Sequence, residues 1–328
     1  MILMNTSIKG VCMSEHLIQK TLSYPSTDGS STVVATIWQP SSAVCTRGIV
    51  QINHGMSEHI LRYDDFARAL CGAGYIVAGN DHIGHGRSST PNTRGVLDPL
   101  HGADALIEDA HTLHQHMRQH YDPSLPYYFF GHSMGSFIAR AYAGRYGTGL
   151  SGVIACGTGS VSPLLSRIGF LLAYHLCKTK GITYASSFID GLGVGAYSKA
   201  VPGPTGYEWL SYNNENVHAY NTDPLCGFMF SVGGYAALSK LTQEACSPAA
   251  ASHIPSSLPF LFIAGEDDPV GASGKGVYQA AKLTKNAGVT DVTTILYPHM
   301  RHEILCEDNR SLVYSDILKW LGEHHGNN

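Results

Sequence analysis

An α/β architecture follows from three features of the 328-residue chain. Short β-rich runs recur along it, several of them apolar on both alternating faces, as strands inside a largely parallel sheet are. Helix-periodic segments lie between them, the alternation that βαβ units produce. One long interval, residues 159–257, carries no convincing buried strand and reads as an insertion into that alternation.

In chain order, strands are expected at 32–38 and 48–53, a helix at 63–72, a strand at 75–80 and a helix at 103–121. A strand at 127–131, a helix at 136–146 and a strand at 152–156 follow. After the interruption come a strand at 259–264, a helix at 275–287, a strand at 293–297 and a helix at 310–324. The expected division is therefore a core of residues 1–158 and 258–328, with residues 159–257 as a helical cap. The cap carries an apolar stripe, Leu164, Leu165, Ile168, Leu171 and Leu172, and the aromatics Trp209, Tyr212, Phe228 and Phe230. Such a stripe either packs helix on helix or lines a ligand cavity. Leu171, Leu172, Phe228, Met229 and Phe230 are the candidate substrate-binding residues.

Composition narrows the function classes. With 21 Lys+Arg against 25 Asp+Glu the formal charge is −4, which excludes a nucleic-acid-binding polycation. A 44% hydrophobic fraction beside 14% charged residues excludes wholesale disorder. The eight cysteines form no CxxC pair and read as free thiols. Residues 1–16 hold one Lys and no long apolar run, and the apolar stretch at 169–174 is far below spanning length, so a soluble, cytoplasmic protein is expected.

The chemistry sits where strands end. The run Tyr127-Tyr128-Phe129-Phe130 leads into Gly131-His132-Ser133-Met134-Gly135 and then a helix-like segment, so Ser133 stands in a strand-to-helix nucleophile elbow. A serine hydroxyl is a weak nucleophile and needs a base oriented by an acid, here in the order Ser, acid, His. The strand at 259–264 ends in Gly265-Glu266-Asp267-Asp268, and the strand at 293–297 ends in Pro298-His299-Met300-Arg301-His302. Asp268 is the expected acid with Asp267 the alternative, and His302 the expected base with His299 the alternative. The strand at 48–53 runs into His54-Gly55-Met56-Ser57-Glu58-His59, so the Met56 N–H, with the Met134 N–H, is the candidate oxyanion hole.

These blocks, with Arg62-Tyr63 and Asp81-His82-Ile83-Gly84-His85-Gly86-Arg87-Ser88, resemble the monoacylglycerol lipase and lysophospholipase branch of the α/β-hydrolases over most of the chain. The resemblance implies Ser133, Asp268 and His302 as a catalytic triad, the amides of Met56 and Met134 as the oxyanion hole, and residues 159–257 as a lid. It also implies that the histidines of the 81–88 block brace the loop beneath the site rather than bind zinc. His111, His114, His116 and His120 are read as a solvated helix face.

The expected activity is cofactor-free hydrolysis of carboxylic esters through an acyl-enzyme, with monoacylglycerols or lysophospholipids as substrates and no metal, nucleic acid or obligate protein partner. Transient membrane-surface contact through the cap fits a lipid ester substrate. The rival is a small-ester hydrolase or a proline-type aminopeptidase on the same scaffold, the latter needing an acidic anchor from Asp190, Glu208, Glu215 or Asp223.

Overall fold

The computed structural model describes residues 9–14, 17–40 and 45–325. Among these, nine strands form one sheet: β1 (Lys9–Ser14), β2 (Leu17–Pro25), β3 (Thr32–Pro40), β4 (Gly48–Asn53), β5 (Tyr75–Asp81), β6 (Tyr127–His132), β7 (Gly152–Cys156), β8 (Phe260–Gly265) and β9 (Val292–Tyr297). Their order is β1-β2-β3-β5-β4-β6-β7-β8-β9. The first three strands and β5 pair antiparallel, and every pairing from β5-β4 to β8-β9 is parallel.

Each buried strand divides its side chains between two cores. On β6, Tyr127 and Phe129 join one cluster, while Tyr128 and Phe130 join the other. On one face, α1 (Asp64–Gly72) contributes Phe66. On the other, α2 (Gly102–His120) and α3 (Met134–Tyr146) contribute Leu106 and Ile138. Between β7 and β8 the chain forms α4 (Pro163–Lys180), α5 (Ser187–Leu192), α6 (Val194–Ala200), α7 (Asn214–Thr222), α8 (Val232–Ala245) and α9 (Pro248–Ala251), and adds no strand to the sheet. Ser162 and Ser231 start α4 and α8 by accepting from the Leu165 and Gly234 amides, the N-cap role that short hydroxyl side chains favour. The helices α10 (Lys275–Asn286) and α11 (Arg310–Glu323) then cover opposite faces through Val277 and Val313.

The order of strands reverses at β4, which lies between β5 and β6. In open α/β sheets the crevice beyond the C-terminal ends of strands at such a reversal is where ligands bind. The sequence did not indicate β1 and β2, because the burial of β2 alternates weakly and leaves Ile18 to Thr21 half-buried. His114 also departs from the expected solvated face: it is buried, stacked on Tyr127 at 4.0 Å and bonded to the Tyr142 hydroxyl. The described cysteines from Cys45 onward are free thiols.

Candidate active site

Ser133 occupies the turn between β6 and α3 with φ 53° and ψ −119°, a strained conformation for a residue with a Cβ. The flanking glycines make the turn possible. A Cβ on Gly131 would lie 2.1 Å from the Gly135 carbonyl oxygen, and one on Gly135 would lie 2.0 Å from that of Asn53. Ser133 stands at the N-cap of α3 without capping it, so its hydroxyl is not tied to the helix. Its carbonyl instead accepts from the Ser136 hydroxyl at 2.6 Å.

The loop after β9 brings His302 to the loop after β8. His302 Nδ1 lies 2.9 Å from Asp268 Oδ2, and both side chains are buried. Asp268 Oδ1 accepts from the Val270 amide at 2.8 Å, which fixes the carboxylate plane. The Nδ1–H therefore donates to the carboxylate, leaving Nε2 as the basic nitrogen. The alternatives point elsewhere: Asp267 accepts from the Tyr212 hydroxyl at 3.0 Å on the surface, and His299 is an exposed turn residue with φ 54°. The indole of Trp209, from the segment between α6 and α7, covers the His302 ring at 5.2 Å.

The loop after β4 closes on Ser133, since a Cβ on Gly55 would meet that of Ser133 at 3.1 Å. His54 Nε2 accepts from the His82 amide at 3.0 Å, so its proton is on Nδ1 and is donated to the Gly55 carbonyl at 2.7 Å. Burial pulls the His82 and His85 imidazoles down to about 3 and about 4, so both are neutral at pH 7 and brace the loop without charge.

Beneath this loop lies an ionic knot that the sequence reading missed. Glu58 accepts from the Gly55 amide, the Tyr63 hydroxyl and Arg62, and Arg62 also reaches both carboxylate oxygens of Glu303, the neighbour of His302. Asn216 of α7 bonds to both Arg62 and Glu303. Burial would push the Glu58 carboxyl up, but the His132 hydrogen bond and Arg62 hold it well below the ordinary range. Burial likewise opposes protonation of His132, yet its hydrogen bond to Glu58 leaves that imidazole above its usual value. The i,i+4 spacing of Glu58 and Arg62 and the Glu directly after His302 were the available signal.

A cavity of about 550 Å³ opens over these residues. Ser133, His302, Met56 and Met134 line one wall, and Phe137, Leu165, Ile168, Leu172, Leu238 and Val270 are among the apolar residues of the others. A second, polar cavity of about 350 Å³ shares Glu58, His132 and Glu303 with it as lining residues. Of the expected cap contacts, Leu172 lines the apolar cavity, whereas Leu171 and Phe228 to Phe230 do not. Leu165, Ile168 and Leu172 recur with helical period along the side of α4 that meets the cavity, and Leu171 lies outside that face. Phe228 and Phe230 pack on the His85 ring at 5.4 and 5.3 Å, and Met229 is 41% exposed.

Among the described residues no helix is long and apolar enough to cross a membrane. The family model for serine aminopeptidase, S33, matches residues 45–309. The monoacylglycerol lipase of Mycolicibacterium smegmatis is 29% identical over 305 residues, 90% of this chain and 95% of that protein. The monoglyceride lipase of Homo sapiens is 26% identical over 299 residues, 87% of this chain and 85% of that protein. A thermostable carboxyl esterase from Bacillus coagulans, solved in complex with glycerol, matches with a TM-score of 0.85 at 33% identity, over 93% of this chain and 98% of that one. With a nine-stranded hydrolase sheet and a family match over most of its length, the chain belongs to the serine aminopeptidase, S33, family of α/β-hydrolases and is a carboxylic ester hydrolase.

Proposed function

We propose that the protein hydrolyses esters of single-chain lipids, monoacylglycerols or lysophospholipids, through an acyl-enzyme on Ser133. The observation that carries this reading is the apolar cavity of about 550 Å³, sized for one acyl chain, that Ser133 and His302 line together with Leu165, Ile168, Leu172 and Leu238. The names of the lipase relatives support the same substrate class.

In this reading residues 159–257 act as the cap. Ser133 Oγ attacks the ester carbonyl carbon while His302 Nε2 takes its proton, and Asp268 holds the imidazole tautomer. The carbonyl oxygen becomes the oxyanion, facing the Met56 and Met134 amides. Collapse breaks the C–O bond, and the leaving alcohol takes the proton from His302. Water then repeats the cycle on the acyl-enzyme, releasing the fatty acid and restoring Ser133. No step needs a cofactor.

The aminopeptidase alternative requires a free acid for a substrate ammonium. Asp190 accepts from Tyr235, Glu208 from Thr205 and Gly206, and Asp223 from His59, while Glu215 lies at the polar cavity. The acids lining the apolar cavity, Glu58 and Glu303, are both paired with Arg62. The apolar skin of the cap fits contact with a lipid surface: Leu164 is 68% exposed, Phe188 64% and Leu192 64%, with Leu165, Ile168 and Leu192 also at the cavity.

The test is an ester panel read with fluorophosphonate labelling. One phosphonyl adduct on Ser133 and preference for monoacyl lipids over aminoacyl amides are expected. An adduct elsewhere, or faster cleavage of aminoacyl amides, would overturn the reading.

A further inference from the structure

Outside the catalytic wall, three side chains with metal-binding chemistry meet where the loop after β4 touches the segment after α7. A ring nitrogen of His59, a carboxylate oxygen of Asp223 and the Cys226 Sγ all lie within 4.8 Å of one another. His59 comes from the core, and Asp223 and Cys226 from one turn of the inserted interval, closed by the Cys226 amide donating to the Asp223 carbonyl at 3.0 Å. The Leu225 amide donates to Asp223 Oδ1 at 2.8 Å and leaves Oδ2 facing His59 Nε2, also at 2.8 Å.

We propose that His59, Asp223 and Cys226 form a binding site for a borderline-soft divalent cation of the zinc type, which staples the inserted segment to the loop that carries Met56. Imidazole, carboxylate and thiolate are the donors zinc takes, at about 2.0–2.3 Å, and three protein ligands with one open position is a common zinc arrangement. Tetrahedral bonds of that length set donors roughly 3.3–3.8 Å apart. The His59–Asp223 contact then opens by about half an ångström, and donors as far as 4.8 Å apart close by about 1 Å, shifts within side-chain reach. The Asp223 side chain is 30% exposed, which gives an ion and its fourth ligand, water, a route in. Binding replaces the thiol proton with a metal–sulfur bond and shifts the His59 proton from Nε2, where it is donated to Asp223, to Nδ1, so that one proton in all is released to solvent.

The segment is already fastened at this place. The Ser57 carbonyl accepts from the Gly227 amide and the Tyr220 hydroxyl, each at 2.9 Å, and the Ser57 hydroxyl donates to the Phe228 carbonyl at 2.7 Å. An ion at His59, two residues beyond Ser57, would therefore replace the His59–Asp223 hydrogen bond, the fourth tie of a joint one residue from Met56, with metal–ligand bonds. An aspartate–histidine hydrogen bond alone would leave Cys226 without a part in the cluster, and that difference is what the experiment reads.

Cobalt(II) is titrated into the full chain in a Cys45→Ser background, which removes an exposed thiol. One equivalent is expected to give a thiolate-to-cobalt charge-transfer band, displaced by zinc, with one proton released and a raised melting temperature. Cys226→Ser should abolish the band. Asp223→Asn and His59→Gln, which keep the thiol, should weaken binding by more than the ~10–100-fold that a lost outer-shell partner costs. Absence of the band in the Cys45→Ser protein, its persistence in Cys226→Ser, or unchanged affinity in both Asp223→Asn and His59→Gln would overturn the site.

Discussion

Ser133 sits in a turn whose backbone its flanking glycines allow, and Asp268 and His302 meet through one side-chain contact, so their variants separate chemistry from folding. Ser133→Ala is expected to keep the melting temperature and to lose roughly 10⁶ in kcat. Asp268→Asn should cost about 10⁴, because the carboxylate that holds the His302 tautomer is gone, while Asp267→Asn, which loses only a surface bond to Tyr212, should stay near wild type. Steady-state kinetics on a short ester checks both, and a large loss in Asp267→Asn alone would reverse the assignment. Arg62 behaves differently, since it pairs with two buried carboxylates at once. Its loss strands both, and Arg62→Ala should destabilise by about 3–5 kcal/mol in urea unfolding.

At the scale of elements, the parts of the candidate site carried by short contiguous motifs are legible in the sequence, and the parts made by packing are not. The elbow at Ser133, the acid after β8 and the His after β9 each follow a strand directly, so local pattern places them. The phase of α4 was not legible, because Leu164, Leu165, Ile168, Leu171 and Leu172 form one broad apolar stripe and only the partners of the helix decide which side is inward. The Phe228–Phe230 run misled for the same reason: its rings meet His85, far away in sequence. His59 and Asp223 are 164 residues apart, a separation that hid their pairing. The inner and outer faces of α4 now predict different defects. Ile168→Trp should shorten the longest acyl chain accepted. Leu171→Glu, together with Phe188→Glu, should slow hydrolysis of esters in vesicles several-fold while leaving a dissolved short ester unaffected. Equal losses on both substrates would remove the surface-docking reading.

For the whole molecule, buried neutral histidines couple stability to pH. His82 and His85 titrate at about 3 and about 4 when folded, against about 6.5 in an unfolded chain. Below about pH 6.5 the unfolded state binds protons that the folded state refuses, so stability present above that pH is lost as pH falls, by up to about 1.4 kcal/mol per unit per group. The melting temperature should drop between pH 7 and 5, and less steeply in His85→Gln; identical slopes would show that other groups govern the acid limb.

The cavity over Ser133 governs acyl preference, because each methylene it buries is worth about 0.8 kcal/mol, so that two or three change kcat/KM by roughly tenfold or more. The deciding measurement is kcat/KM across a series of glycerol monoesters running from acetyl to palmitoyl. The value is expected to rise with chain length to a limit beyond butyryl. A maximum at acetyl or butyryl would contradict it, and would mark the protein as a small-ester hydrolase whose cap is packed shut.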